Sequence, residues 1–337
     1  VKLINYLANV TVNGFPGIED KTKPKFETRQ TPVVENAQAP VLNGVGGVES
    51  DEPTLKHILD KEGPDAVVEA VLAEKDALIT DTTLRDAHQS ILTTRLRTRD
   101  MLEIAPYMNA TMKDAFSLEM WGGATFDVAY NFLNESPWDR LEMLREAIPD
   151  IPFQMLLRAS NAVGYKNYPD NVIRKFIEQS AADGIDVFRI FDSLNWMETL
   201  KLPIEVALET GKLVEGTVCY TGDILNPERS STYTLDYYVK MANELEALGV
   251  HTLGIKDMSG ILKPEAAYLL IKTLKDEVDI PIHLHMHDTA GNAVTAYSRA
   301  IDAGVDIVDL PKITNSCTNS QPDGNARRHG IPRPTVV

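Results

Sequence analysis

The stretch that decides the fold runs from Thr252-Leu253-Gly254-Ile255, through an amphipathic segment over 264–278, to Ile282-His283-Leu284-His285-Met286-His287-Asp288, and then through a second such segment over 293–303 to Ile307-Val308-Asp309-Leu310. The apolar runs, over 252–255, 282–284 and 307–310, are three or four residues long, too short for helices. The segments between them carry apolar residues at helical spacing, and Gly304 follows the second. Strand, helix, strand, helix, strand in this order makes parallel crossover units. Upstream, further strand-like runs recur at 77–81, 116–121, 153–157, 187–191 and 213–220, with helical segments at 138–147, 170–182 and 235–248, and Gly184 and Gly249 close two of them. Eight strands alternating with seven helices predict a TIM-type (β/α)8 barrel, an α/β fold. An open doubly wound sheet is the rival, but no Gly-x-Gly-x-x-Gly follows the first strand, and such sheets usually have fewer strands.

With 337 residues, 43% of them hydrophobic, the chain can supply one barrel of about 250 residues plus an appendage. Forty-nine acidic against 33 basic residues give a formal charge of −16, which argues against nucleic acid or an anionic membrane as the main partner. An anionic small molecule remains compatible, because a few local arginines suffice. No run of about 18 apolar residues predicts a membrane span. The two cysteines, Cys219 and Cys317, fit a reducing, cytoplasmic setting, and Cys219, inside an apolar run, reads as a buried thiol.

Residues 1–52 read as a linker: a charged, proline-bearing segment lies over 19–32 and a Gly-rich turn at Asn43-Gly44-Val45-Gly46-Gly47. The start Val1-Lys2-Leu3 has no initiator methionine and no signal pattern, so an internal fragment of a longer polypeptide is expected. Helical spacing between 53 and 77 places a helical lead-in before the first strand, and the barrel is expected over 53–310. After Leu310 no apolar periodicity supplies an eighth helix. Residues 311–337 are therefore expected to be an atypical tail, disordered or frame-shifted, with the barrel incomplete at that end.

In such barrels chemistry sits at the carboxyl ends of the strands. The first strand runs into Asp81-Thr82-Thr83-Leu84-Arg85-Asp86-Ala87-His88-Gln89-Ser90, unusually polar for its place. A lone Arg-Asp pair there is most often a solvated turn. On the seventh strand, alternation puts His283, His285 and His287 on one face. One strand-borne histidine is usually structural; two at i and i+2 at a barrel mouth shift the balance toward a metal at His285 and His287, with His283 one layer deeper as a hydrogen-bonded core residue. Lys256 ends the sixth strand. Burial should depress its pKa, and the plain reading is a salt bridge with Asp86 or Asp257; beside two histidines, a carbamate formed from its amine and carbon dioxide becomes a further reading.

The runs over 81–90 and 116–127, Leu156-Leu157-Arg158, Asn161-Ala162-Val163-Gly164-Tyr165, the run over 188–195, Cys219-Tyr220-Thr221-Gly222-Asp223, the run over 255–260 and that over 285–292 resemble the carboxyltransferase region of the pyruvate carboxylase family. The resemblance extends from about residue 1 to 310, and Val10-Thr11-Val12-Asn13-Gly14-Phe15-Pro16-Gly17 is similar to the family's linker from the biotin carboxylase part. It implies metal ligands at Asp86, carbamylated Lys256, His285 and His287, suited to Mn²⁺ or Zn²⁺. It implies pyruvate-binding positions at Arg85, Asp86, Ala87, His88, Gln89 and Arg158, with Arg85, Gln89 and Lys256 catalytic. The reaction implied is carboxyl transfer from carboxybiotin to pyruvate, giving oxaloacetate. Biotin would arrive on a carrier domain outside these residues, bicarbonate fixation with ATP would lie in a biotin carboxylase domain, and the intact enzyme would be a homo-oligomer, a tetramer. The family's proton-shuttling threonine belongs to a helical part beyond the barrel, so these residues alone are expected to be inactive in carboxyl transfer.

Three alternatives compete. An oxaloacetate decarboxylase α subunit or transcarboxylase keto-acid subunit would start near residue 75. An aldol-type lyase or acyl-CoA condensing enzyme shares an Asp-Thr-Thr-Leu-Arg-Asp run and a His-x-His pair, but not Gly254-Ile255-Lys256-Asp257 or Trp121-Gly122-Gly123. An inactive scaffold or assembly fragment would bind neither metal nor keto acid.

Overall fold

The strands are short, and their inward positions change along the barrel from apolar residues such as Val187, Leu213 and Ile307 to charged ones such as Arg189, Glu215 and Asp309. The computed structural model describes residues 53–229, 232–311 and 331–332. Within them β1 (Asp76–Asp81), β2 (Ser117–Gly122), β3 (Phe153–Leu157), β4 (Val187–Phe191), β5 (Leu213–Cys219), β6 (Thr252–Asp257), β7 (Ile282–Met286) and β8 (Ile307–Leu310) pair in parallel in that order, and β8 returns to β1. This is the TIM-type barrel that the alternation predicts. A two-residue strand, β9 (Ile331–Pro332), lies antiparallel against Asp76 and Ala77 of β1. Apart from those two residues and Pro311, the tail expected over 311–337 lies outside the described residues, as does the linker expected over 1–52.

Strand ends differ from the hydrophobic reading in an informative way. β6 and β7 each run two residues past their apolar runs, to Asp257 and Met286, because backbone pairing continues while the inward side chains turn polar at Lys256 and His285. The lead-in over 53–77 is two helices, α1 (Leu55–Glu62) and α2 (Pro64–Ala73), split by Gly63 at φ +89° with a proline opening the second. Thr54 starts α1 through a capping box with His57. Gly184, Gly249 and Gly304 all hold positive φ where helices stop, as expected of them. Among the described residues no helix is long and apolar enough to cross a membrane.

The lumen is layered. At its amino-terminal end Phe116, Val187, Leu213 and Ile307 pack with Leu59, Val67 and Val71 of α1 and α2, so the two helices plug the barrel floor. One layer up, the lumen is ionic. Arg189 on β4 lies 2.5 Å from Glu215 Oε1 and Asp309 Oδ2 and 3.0 Å from Glu119 Oε2, all four side chains being buried. His283 bridges Glu215 and Asp309 at 2.6 Å on both ring nitrogens. Carboxylates only accept, so both nitrogens carry protons and the ring is an imidazolium. Burial raises the Glu215 carboxyl, but Arg189 and His283 more than offset it and hold it down at about 2.

Outside the ring, a β-bulge between Glu119 and Trp121 turns Trp121 into the helix layer rather than inward with Glu119. Its indole stacks on Phe176 at 6.0 Å and meets Trp138 and Phe126 edgewise or tilted, and Nε1 donates to Pro137 O at 3.0 Å.

Two stability outcomes follow from these contacts. Trp121→Ala, emptying a fully buried site, is expected to cost about 3–5 kcal/mol in urea unfolding. Glu215→Gln is expected to cost most near neutral pH. A carboxyl depressed in the fold stabilises above its unfolded value of 4.5 and loses that stabilisation as pH falls toward 2, so the gap between variant and parent should narrow between unfolding curves at pH 7 and at pH 3. A gap that widens in acid would overturn the assignment.

Candidate functional site

The upper layer of the lumen holds the polar residues at the strand ends. After β1 the chain makes a wide π-type turn over Thr83–Ala87, opened by Asp81, whose carboxylate accepts from Thr83 N and Thr83 Oγ1. Such turns are rare and often mark functional positions. This one carries Arg85 and Asp86. Arg85 reaches down to Glu119 through Nε and Nη2, while its Nη1 lies 3.0 Å from Asp86 Oδ1 and donates to Gln89 Oε1 at 3.0 Å. Burial lowers the Arg85 pKa, partly countered by Asp86. For Asp86, burial acts upward, but Arg85, a hydrogen bond from His287, and the His285 and Lys256 rings and amine hold it well below the usual carboxylate range.

Asp86, His285 and His287 form one group, each offering an atom within 4.8 Å of the others. Asp86 Oδ2 lies 3.1 Å from His287 Nε2 and 3.5 Å from His285 Nε2. The His287 side chain, one residue past the end of β7, keeps 33% of its surface and opens the group to the barrel mouth; that of His285 keeps 4%. His285 Nε2 is buried without a hydrogen-bond partner, while burial and then Lys256 push the ring down to about 3, so it is neutral with a lone pair to give. An unpaired buried nitrogen beside a carboxylate and a second imidazole is a donor set that fits a divalent cation such as Mn²⁺ or Zn²⁺.

Lys256 pairs in register with His285 across β6 and β7. Its side chain is buried, with the amine 5.8 Å from the Phe191 ring centroid. Burial lowers its pKa from 10.5 to about 8, as the sequence leads one to expect. The salt bridge weighed as its plain reading does not form: among the described residues no carboxylate comes within 4.0 Å of the amine. Asp257 instead spends its carboxylate on Ser259 N at 3.2 Å and Leu262 N at 2.7 Å.

Arg158 follows β3 and donates from Nη1 to Val163 O and Gly164 O, with its guanidinium 4.9 Å from the Tyr165 ring centre. No carboxylate pairs with it among the described residues. It lies so close over Gly123 that a Cβ there would stand 2.6 Å from Cζ. Of the other expected substrate positions, Ala87 is nearly buried, and His88 has no exposed surface, its Nε2 2.7 Å from Leu84 O. Through that contact His88 meets the backbone of the turn that carries Arg85, while its Nδ1 is buried without a hydrogen-bond partner. Cys219 is a buried free thiol, and Cys317 lies outside the described residues. Sequence reading assigned no role to Glu119, Arg189, Glu215 and Asp309. The signal was there: each is a charged residue on the inward alternation of its strand.

Comparison with known proteins agrees with this picture. Residues 203–311 match the family described as HMGL-like. The chain is 58% identical over 335 residues to the pyruvate carboxylase of Staphylococcus aureus and 52% identical over 330 to that of Bacillus subtilis, in both cases covering 98% of this chain and 28% of the relative. The human mitochondrial pyruvate carboxylase is 46% identical over 327 residues, 96% of this chain and 27% of that protein. Among solved structures, the carboxyl transferase domain from Rhizobium etli pyruvate carboxylase with pyruvate superposes with a TM-score of 0.80 at 46% identity, covering 97% of this chain and 53% of that one. The chain thus spans about a quarter of the length of these relatives. In sequence and in fold, it is similar to the carboxyltransferase segment of the pyruvate carboxylases.

Proposed function

We propose that this barrel carries out carboxyl transfer from N1-carboxybiotin to the methyl carbon of pyruvate, giving oxaloacetate, as one part of a biotin-dependent pyruvate carboxylase. The observation that carries the reading is the unpartnered His285 Nε2 set against Asp86, His287 and a buried, unpaired Lys256 at the barrel mouth.

Asp86, His285, His287 and Lys256 as its carbamate would hold Mn²⁺ or Zn²⁺. A neutral amine is the reactive form of Lys256, and its lowered pKa supplies a fraction of it near neutral pH. Nitrogen adds to carbon dioxide, an N–C bond forms as one C=O electron pair moves to oxygen, and the nitrogen releases a proton. When bound, the metal supplies positive charge near the developing enolate and an anchor for its four ligands. Arg158, without a carboxylate partner among the described residues, holds the pyruvate carboxylate. Gln89 accepts from Arg85 through its oxygen, which leaves its amide nitrogen to donate to the keto oxygen. Arg85 is oriented toward the same place by Asp86 and Glu119. As the methyl C–H bond breaks, the proton passes to the shuttling threonine that the family carries beyond the barrel, the electron pair becomes the enolate double bond, and charge gathers on the keto oxygen, where these donors act. The new C–C bond then forms as the biotin N1–C bond breaks, and N1 takes up the proton. The carrier and biotin carboxylase domains, and a homo-oligomeric assembly, are partners that this reading requires of the intact enzyme.

Two outcomes test the reading. Lys256→Gln should lose bound metal together with turnover, measured by elemental analysis and by oxaloacetate formation in an intact enzyme carrying this barrel; full metal occupancy in the variant would reject the carbamate. Arg158→Lys should weaken pyruvate binding by tenfold or more, the loss of one charge-assisted hydrogen bond of about 1.5–3 kcal/mol, with thermal stability retained. Calorimetric pyruvate binding equal to the parent's would remove Arg158 from the site.

A further inference from the structure

We propose that Asp309, on β8, is the positioning residue of the metal group: it fixes the tautomer and ring orientation of His285 and so sets the affinity of the site for a divalent cation. The inference rests on the metal-binding reading above and concerns a residue that ligates nothing itself.

The geometry is specific. Asp309 Oδ2 lies 2.5 Å from His285 Nδ1, and both residues are at most 4% exposed. A carboxylate can only accept at that distance, so the proton on the neutral ring sits on Nδ1 and Nε2 is left bare. Nε2 is the atom that faces Asp86 at 3.5 Å and has no hydrogen-bond partner. With the proton on Nε2 instead, the ring would aim a donor at the cation. It would also leave an unprotonated nitrogen against a buried carboxylate, two lone pairs facing each other in a dry site. Asp309 therefore selects the one tautomer that can ligate, as outer carboxylates commonly do for metal-binding histidines.

Asp309 is itself held from two sides. Its Oδ2 accepts from Arg189 Nη1 at 2.5 Å, and its Oδ1 from His283 Nε2 at 2.6 Å and Arg189 Nη2 at 3.2 Å. Four donors converge on two oxygens, so the carboxylate has no free rotation about its terminal bond. That rigidity passes to His285. It also makes Asp309 hard to replace: an amide would turn one oxygen into a donor facing donors on whichever side it took.

Glu215 supplies the control. It binds the same Arg189 and His283 and is also buried, yet makes no hydrogen bond or ion pair with His285. A variant that merely loosens the ionic layer should behave alike at either position.

The test uses the full chain, stripped of metal and titrated with Zn²⁺ against a competing chelator, for the parent, Asp309→Asn, Glu215→Gln and His285→Ala, each checked by thermal unfolding without metal. Expected are loss of site binding in His285→Ala, affinity lower by about 10- to 100-fold in Asp309→Asn, and affinity within about threefold of the parent in Glu215→Gln at a comparable drop in unfolding temperature. Equal losses in Asp309→Asn and Glu215→Gln would reduce Asp309 to a structural role and overturn the inference. Parent binding that is indifferent to His285→Ala would instead overturn the metal reading on which it rests. Should Asp309→Asn not fold, nitrogen NMR of ¹⁵N-histidine-labelled, metal-free parent decides the matter: a His285 resonance pair showing protonated Nδ1 and bare Nε2 supports the proposal, and the opposite tautomer refutes it.

Discussion

An arginine with no access to water must be neutralised where it stands, and in this barrel Arg189 makes that demand at the centre of the lumen. It is met by carboxylates from three other strands, Glu119 on β2, Glu215 on β5 and Asp309 on β8. Burial pulls the guanidinium's pKa down, but Asp309 and Glu215 more than offset it. Removing any one partner would leave a buried charge uncompensated, which costs far more than the intact set contributes. The layer is therefore better understood as a constraint on geometry than as a source of stability. It joins strands distant in sequence, and the upper layer is built on its free ends. Glu119 also grips Arg85, and Asp309 also grips His285. The Arg85 side and the His285 side of the mouth thus stand on one ionic foundation.

That foundation divides the lumen into zones with different tasks. The floor is apolar and closed by α1 and α2, the middle is ionic and fully paired, and the top holds polar groups whose pairing is incomplete: His285 Nε2, the Lys256 amine and the Arg158 guanidinium. Unfinished pairing at the carboxyl ends of the strands is what a binding site requires, because a ligand can then supply partners that the protein withholds. Lys256 illustrates it. Its position in register with His285 brings an amine to the strand beside that histidine while Asp257, one residue later, is occupied in holding the following loop.

Much of this was legible in the sequence, and the physical reasons for the rest can be named. Strands β3, β4 and β8 fall where their apolar runs lie, because both of their faces are covered there. β6 and β7 read two residues short, since hydrophobicity ends where the lumen turns polar although the backbone ladder does not. The placement of Asp86, His285 and His287 in one group follows from alternation and from strand ends meeting at one rim. The ionic layer was overlooked because Glu119, Arg189, Glu215 and Asp309 are spread over nearly 200 residues, each unremarkable alone; only closure of the ring makes them neighbours. The bulge at Glu119 and Trp121 had no local signal, and without it strict alternation sends Trp121 to the wrong side.

The in-register pairing of Lys256 with His285 has a consequence for assembly of the barrel itself. Side chains on a strand change sides with every residue, so a slip of one position in β6 or β7 would turn Lys256 or His285 out among the helices and bring Ile255 or Leu284 into the ionic middle. A slip in β6 strands the lysine in hydrocarbon, and one in β7 carries His283 out along with His285 and takes from Glu215 and Asp309 the ring that bridges them. The polar residues of the mouth thereby act as a proofreading device: a ring that closes out of step carries a heavy electrostatic penalty, and the alignment that escapes it is the one in which Asp86, His285 and His287 already stand together.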